Sequence, residues 1–395
     1  MSAARVIGDD AEALAVAAEL AAEFRQGAAR RDAERELPRA ELARLSASGL
    51  LAVTVPAKHG GADVRQETLA EVVRLLAAAD ASLAQIPQSH FVYLNVLRAQ
   101  GTEAQRAFFF GEVLAGRRLG NAQSEAGTRH VQDIRTRLVE QPDGAWELTG
   151  LKHYATGALF ADWIPVLARG AGDALHVAYV PRDAPGLTVV DDWDGLGQRT
   201  TASGSVRLDG VRVPADRIVP HHLTFTGPQL HGAVAQLLHA AIDAGIAAGA
   251  LAEAVEFVRT KSRPWFESGF EAASDDPLLI QRFGELAIEV RAAEALLVEA
   301  ARAVDLARGG LTDETAAAAS LAVAAAKVVT GRAAVELGSA LFEVAGTRSA
   351  LASLNLHRHW RDARTHTLHD PARWKVQHLG RHLLNGTPPP RHGLL

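Results

Sequence analysis

The sequence predicts a mainly α-helical α+β fold: an N-terminal helical domain over residues 1–120, a middle β-barrel-like domain over 121–227 and a C-terminal four-helix bundle over 228–395. Three observations predict it. Apolar residues recur at three- and four-residue spacing up to about Gly120. Short β-branched and aromatic runs, punctuated by Gly, Pro and Asp, fill Asn121 to Thr226. Long alanine-rich helical periodicity returns after Pro228.

The elements follow in chain order. Asp9 and Asp10 cap a helix running to about Gln26, Pro38 opens a second as an N1 proline, and Gly49 ends it. Leu50 to Pro56 reads as a short extended segment before the turn-rich Lys58-His59-Gly60-Gly61. Glu67 to Ala79 and Ser89 to Gln100 are again helical. Arg135 to Glu140 and Ala145 to Leu151 flank Pro142-Asp143-Gly144, a hairpin signal. Strands continue at Trp163 to Arg169, Leu175 to Val180, Gly186 to Val190 and Ser205 to Leu208. Helices then cover Gln229 to Ser262, Pro277 to Arg308, Thr312 to Ala345 and Ala372 to Leu384, with Gly309-Gly310 and Gly346 as breaks. Their alanine content suits an antiparallel bundle whose backbones approach closely.

Composition narrows the chemistry. The 395 residues include 41 Lys+Arg against 46 Asp+Glu, a formal net charge of −5, and no basic block marks a nucleic-acid or membrane surface. With no cysteine, disulfides, thiolate metal sites, iron–sulfur clusters and cysteine nucleophiles are excluded. Asp9, Asp10, Glu12 and Glu19 are wrong for a signal peptide. The most apolar stretch, Ala316 to Val329, carries Lys327 and falls short of the roughly 20 residues that span a bilayer. A soluble, cytoplasmic protein is expected. Seven of the 16 histidines (His357, His359, His366, His369, His378, His382 and His392) crowd the last 39 residues. His378 and His382 share a helix face, but no third ligand stands at a recognised spacing, so no metal is assigned.

Several segments carry a resemblance. Pro56-Ala57-Lys58-His59-Gly60-Gly61, Gly111-Glu112-Val113 leading into Asn121-Ala122-Gln123-Ser124-Glu125, Lys152-His153-Tyr154-Ala155-Thr156-Gly157 and Arg361-Asp362-Ala363-Arg364 resemble, in order, successive motifs of the acyl-CoA dehydrogenase superfamily. In its dehydrogenases a glutamate follows the Arg-Asp-Ala-Arg-like run; here Asp370 stands in that slot, a methylene shorter, with Pro371 behind it. The run Ala363-Arg364-Thr365-His366-Thr367-Leu368-His369-Asp370-Pro371 instead resembles a branch of reduced-flavin-dependent monooxygenases, the dibenzothiophene monooxygenase-like, sulfur-acquisition group. Ser262-Arg263-Pro264-Trp265-Phe266, Gln281-Arg282-Phe283-Gly284-Glu285-Leu286 and Asp192-Trp193-Asp194-Gly195-Leu196-Gly197-Gln198-Arg199 are similar to that branch too.

The resemblance implies a two-component enzyme that takes reduced FMN (FMNH2) from a separate NAD(P)H:flavin reductase. Through a C4a-hydroperoxyflavin it oxygenates a small organosulfur compound or similar soft nucleophile. It further implies a homotetramer, a dimer of dimers, with neither nucleic acid nor membrane as partner. Catalytic roles fall on His369 and His366, with Thr156, His90 and Tyr93. Flavin contacts fall on Asn121, Ser124, Thr156, Trp193, Arg263, Phe266 and His369, the arginine reaching a phosphate across a subunit boundary. Thr156 departs from the serine expected there but keeps the hydroxyl. The alternatives are an acyl-CoA dehydrogenase with FAD and Asp370 as base, and a catalytically silent flavin-fold assembly partner.

Overall fold

The computed structural model describes residues 4–395. Seven helices come first: α1 (Asp10–Arg25), α2 (Ala28–Glu34), α3 (Arg39–Ala47), α4 (Gln66–Ala79), α5 (Ala81–Gln85), α6 (Gln88–Gln100) and α7 (Glu103–Leu114). Asp9 caps α1 through its carboxylate, which accepts from the Glu12 N–H. Leu50 to Pro56 is not extended. Leu50–Ala52 form a buried 3-10 turn, because these apolar side chains satisfy the core in a compact turn as well as in a strand.

The strands are β1 (Arg137–Glu140), β2 (Trp146–Lys152), β3 (Trp163–Arg169), β4 (Leu175–Pro181), β5 (Leu187–Val190), β6 (Ser205–Val213) and β7 (Ile218–Val219). They form one seven-stranded sheet in the order β5-β6-β2-β1-β3-β4-β7. All pairs are antiparallel except β1 with β3. The predicted hairpin joins β1 to β2, with Gly144 at φ 80°, where a side chain would be strained.

The helices α8 (His231–Lys261), α9 (Pro277–Gly309), α10 (Asp313–Ala345), α11 (Arg358–His366) and α12 (Ala372–Asn385) complete the chain. Gly245 and Gly249 of α8 lie against α4, where an added Cβ would fall 2.4 Å from the Arg74 carbonyl oxygen and 2.6 Å from that of Ala78. Only glycine permits that approach, and it seats α8 in the centre of the molecule. Contrary to the expectation that the most apolar stretch falls short of a bilayer span, α8 and α10 are long and apolar enough to cross a membrane. Their most apolar windows are 89% and 67% buried inside the protein, as core helices are.

Candidate active site

The helix α8 is apolar nearly all round, but Gln236, His239 and Asp243 interrupt it. At 100° per residue the three fall within one narrow arc of the helix. That polar stripe faces the ends of α5 and α6 and the connection between α11 and α12. Between these helices and the β-domain lies a cleft of ≈ 610 Å³, within the range of roughly 300–1,000 Å³ typical of small-molecule sites.

The β-domain wall carries mainly neutral donors and acceptors, beside Glu125, which is paired with the buried Lys152, and the exposed His130. Beyond β2 the chain turns sharply through Tyr154 (φ 55°) and Gly157 (φ 76°), presenting Thr156. Thr201 Oγ1 donates to the Gln198 carbonyl at 3.0 Å, and the Ser203 hydroxyl lies 2.7 Å from both Thr201 Oγ1 and Thr156 Oγ1. With one proton per hydroxyl, the chain runs Thr156 to Ser203 to Thr201 to carbonyl, and Thr156 Oγ1 is left as an acceptor towards the cleft. Asn121 bridges Tyr93, whose hydroxyl donates at 3.2 Å, and the Tyr154 carbonyl at 3.4 Å. Burial raises the Tyr93 phenol above its usual range, keeping it a donor. Ser124 and the Tyr154 and Trp193 rings complete this wall.

The Arg361-Asp362-Ala363-Arg364 run ties the two walls together. Asp362 accepts from the Gln198 N–H at 2.5 Å, and Thr365 Oγ1 from the Gly197 N–H at 2.9 Å. Gly197 sits where a Cβ would meet the Arg361 carbonyl oxygen at 2.1 Å. The loop thus pinned holds Trp193, whose indole donates to the Gln198 carbonyl at 3.0 Å.

The helical wall carries the titratable groups. His369 lies in the α11–α12 connection with one face open to the cleft and protein around the rest. Its Nδ1 is 2.7 Å from the His366 carbonyl and its Nε2 3.3 Å from Gln85 Nε2, so the proton sits on Nδ1 and points away from the cleft. Burial, then the neighbouring His366, lowers its pKa to about 4. His366 is fully buried behind it, with Nδ1 2.5 Å from Asp243 Oδ1 and Nε2 3.0 Å from His239 Nδ1. Lys327 Nζ lies 2.6 Å from the other Asp243 oxygen. Burial opposes the Asp243 charge, yet Lys327 and His366 together hold its pKa down to about 2. Asp370 lines the cleft with Oδ1 2.7 Å from Lys375 Nζ, which also donates to the Leu394 carbonyl at 3.0 Å.

Of the residues named from sequence, Tyr93, Asn121, Ser124, Thr156, Trp193 and His369 share this cleft, with His366 directly behind it. His90 does not reach it. Its Nδ1 accepts from the Leu119 N–H at 3.0 Å and its Nε2 donates to the Leu51 carbonyl at 2.8 Å, so the neutral ring joins α6 to two chain segments. Burial lowers its pKa to about 4. Arg263 and Phe266 sit in the exposed α8–α9 connection, outside the cleft of their own chain, with Phe266 80% exposed.

Sequence reasoning missed His239, Asp243, Gln85, Tyr154 and Ser203. For the first two, the polar stripe on an apolar helix was the available signal. His239, His366 and His369 bring possible ligand atoms within 4.8 Å of one another. The hydrogen bond between His239 and His366 fills that space with a proton, and Lys327 and Lys375 add positive charge beside it, which disfavours a cation.

Family comparisons agree with this architecture. Residues 10–117 match the acyl-CoA dehydrogenase N-terminal domain, 121–211 the middle domain and 237–374 the C-terminal domain. Dibenzothiophene monooxygenase of Rhodococcus erythropolis is 35% identical, over 96% of this chain and 95% of its own. The chain belongs to the monooxygenase branch of the acyl-CoA dehydrogenase family. The probable FMNH2-dependent monooxygenase SfnC of Pseudomonas putida is 34% identical over 95% of this chain and 96% of its own. The FMN-bound crystal structure of TdsC from Paenibacillus sp. A11-2 superposes with a TM-score of 0.92 at 35% identity, covering 97% of this chain and 100% of that one.

Proposed function

We propose that this family member is the oxygenase component of a two-component system. It takes reduced FMN from a separate NAD(P)H:flavin reductase and transfers one oxygen atom of O2 to a small organosulfur compound or similar soft nucleophile. The observation that carries this reading is the cleft between a largely neutral hydrogen-bonding wall and an imidazole-rich wall. The β-domain wall fits the polar edge of a flavin ring: Asn121 and Ser124 offer polar groups, Trp193 and Tyr154 offer aromatic surface, and Thr156 Oγ1 offers an acceptor. A reduced flavin, which carries an N–H at N5 that the oxidised form lacks, suits such an acceptor. Bound there, the flavin supplies the electrons that activate oxygen.

The protein's own residues do the rest. Tyr93 fixes the Asn121 amide, the pinned loop holds Trp193, and Val92, Val131 and Leu368 add apolar cover to the cleft. His369 and His366 form the imidazole wall on the catalytic side. Arg263 and Phe266 are assigned to a flavin phosphate bound by a neighbouring subunit. The enzyme is read as a cytoplasmic homotetramer with domains 1–120, 121–227 and 228–395. Exposed apolar side chains on α9 and α12, among them Leu278, Ile288, Leu383 and Leu384, support burial between copies.

The dehydrogenase alternative is not favoured. Asp370 is engaged by the buried Lys375, and freeing one partner of a buried ion pair costs about 3–5 kcal/mol. The test supplies photoreduced FMN under 18O2 with a sulfide, a sulfinate, a sulfone and a thiophene. One 18O per product molecule is expected. Absence of any oxygenated product, with bleaching of bound FAD by an acyl-CoA, would overturn the reading.

A further inference from the structure

Monooxygenation with reduced flavin leaves one oxygen atom on the substrate and the other as water, so protons must reach oxygen inside the cleft. His369 is poorly placed to supply them, because its only ring proton is held by the His366 carbonyl. His239 is differently connected. It lines the cleft, yet its Nδ1 is 3.0 Å from His366 Nε2, and among the described residues none engages its Nε2. Behind it His366 Nδ1 meets Asp243, and Asp243 meets Lys327, all in the buried core.

We propose that His239 is a catalytic residue of this enzyme, exchanging protons with the cleft through Nε2, and that Asp243 and His366 are positioning residues forming a relay behind it. The proposal rests on the monooxygenase reading for its chemistry and on the hydrogen-bond chain for its residues. The carboxylate of Asp243 requires a proton on His366 Nδ1. When His366 is neutral, its Nε2 accepts from His239 Nδ1–H, and His239 Nε2 presents a lone pair. A proton taken up at that lone pair is matched by transfer of the Nδ1 proton to His366 Nε2. One N–H bond forms at His239 Nε2, one breaks at Nδ1 and one forms at His366, whose positive charge then lies against Asp243. The reverse sequence delivers the stored proton to an oxygen atom in the cleft. O2 is the oxidant and reduced flavin the reductant throughout, and the relay itself exchanges only protons.

Asp243 lies against His366 and not against His239. Facing the pair are Asp243 from α8, Lys327 from α10, Lys375 from α12, and His369 and Asp370 from the α11–α12 connection. Burial, with His369, His366 and the two lysines, keeps the His239 ring pKa well below its usual value, whereas Asp243 touches His366 directly. Gly331 of α10 leaves room beside Asp243, with its closest Cβ approach at 3.4 Å from Oδ2.

Two readouts test this. In the flavin-free protein, proton NMR should show a far-downfield N–H resonance from His366 Nδ1 that persists in His239→Gln and disappears in Asp243→Asn. With reduced FMN and O2, His239→Gln should lower oxygenated product per flavin about tenfold and raise hydrogen peroxide correspondingly, with flavin affinity changed less than twofold. His239→Ala should regain part of the lost product when imidazole is added, which a structural role would not allow. Unaltered product yield in folded His239→Gln, or no downfield resonance in the wild type, would overturn the relay. If the wild type forms no oxygenated product with any substrate, the functional reading fails, while the resonance and its response to Asp243→Asn still decide whether the relay exists.

Discussion

The β-domain wall of the cleft is built mostly from hydroxyls, an amide and aromatic rings, with Glu125 and His130 beside them, whereas the helical wall places His239, His366, His369, Asp243, Asp370 and two lysines within one packed cluster. The hydroxyls and the amide of the first wall are fixed donors and acceptors whose protonation does not change near neutrality. The second holds groups whose protons can move. His90 belongs to neither, although it too is a buried neutral imidazole. Both of its nitrogens are consumed by backbone groups, whereas His239 keeps one nitrogen for the cleft. A buried histidine is thus read by counting its free ring nitrogens.

The largest effect should come from pH. His90 and His231 have pKa values of about 4 in the folded state, and His221 about 3, below the ordinary 6.5, chiefly through burial. The unfolded chain therefore binds more protons than the folded one between about pH 6.5 and 4. Stability is fully present above pH 6.5 and falls on acidification, by about 1.4 kcal/mol per group for each pH unit of separation. Urea midpoints across that interval should drop steeply, and a flat profile would contradict the burial of these rings.

Next in size is Lys327→Met, which leaves Asp243 charged and partnered only by His366. It should lose about 3–5 kcal/mol in urea unfolding, against less than about 1.5 kcal/mol for Thr156→Val on the opposite wall. His90→Ala should lose about 2–3 kcal/mol, since two buried backbone groups lose their partners, while product yield per folded molecule stays at the wild-type value. Lost yield at full folding would return His90 to the catalytic machinery.

Thr156→Val should weaken reduced FMN about tenfold, or about 1.4 kcal/mol, and oxidised FMN less, because the lost acceptor is specific to the extra N–H. Fluorescence and anaerobic titrations measure the two constants. The smallest change expected is with Arg263→Ala, about threefold in FMN affinity. It should appear only in the assembled enzyme, if the arginine serves a neighbouring subunit.

Much of this was legible in the sequence because it depends on local periodicity. The hairpin at Pro142-Asp143-Gly144 and the long helices α8, α9 and α10 are written in turn residues and apolar spacing. The turn at Leu50–Ala52 was not legible, since three apolar residues carry no period. Nor was α11, nine residues rich in His and Arg that are stabilised by Asp362 and Thr365 reaching the Gly197-Gln198 loop. Family motifs located Thr156, Asn121 and His369. They could not rank His90 below His239, because the partners that decide it, Leu51, Leu119, His366 and Asp243, are far apart in the chain.

The division between the two walls is tested most directly by titrating product yield per turnover against reduced FMN concentration in Thr156→Val and His239→Gln. The account predicts that Thr156→Val chiefly shifts the half-saturating concentration, about tenfold upward, and that His239→Gln chiefly lowers the plateau, about tenfold. Two variants that displace the same parameter would contradict it.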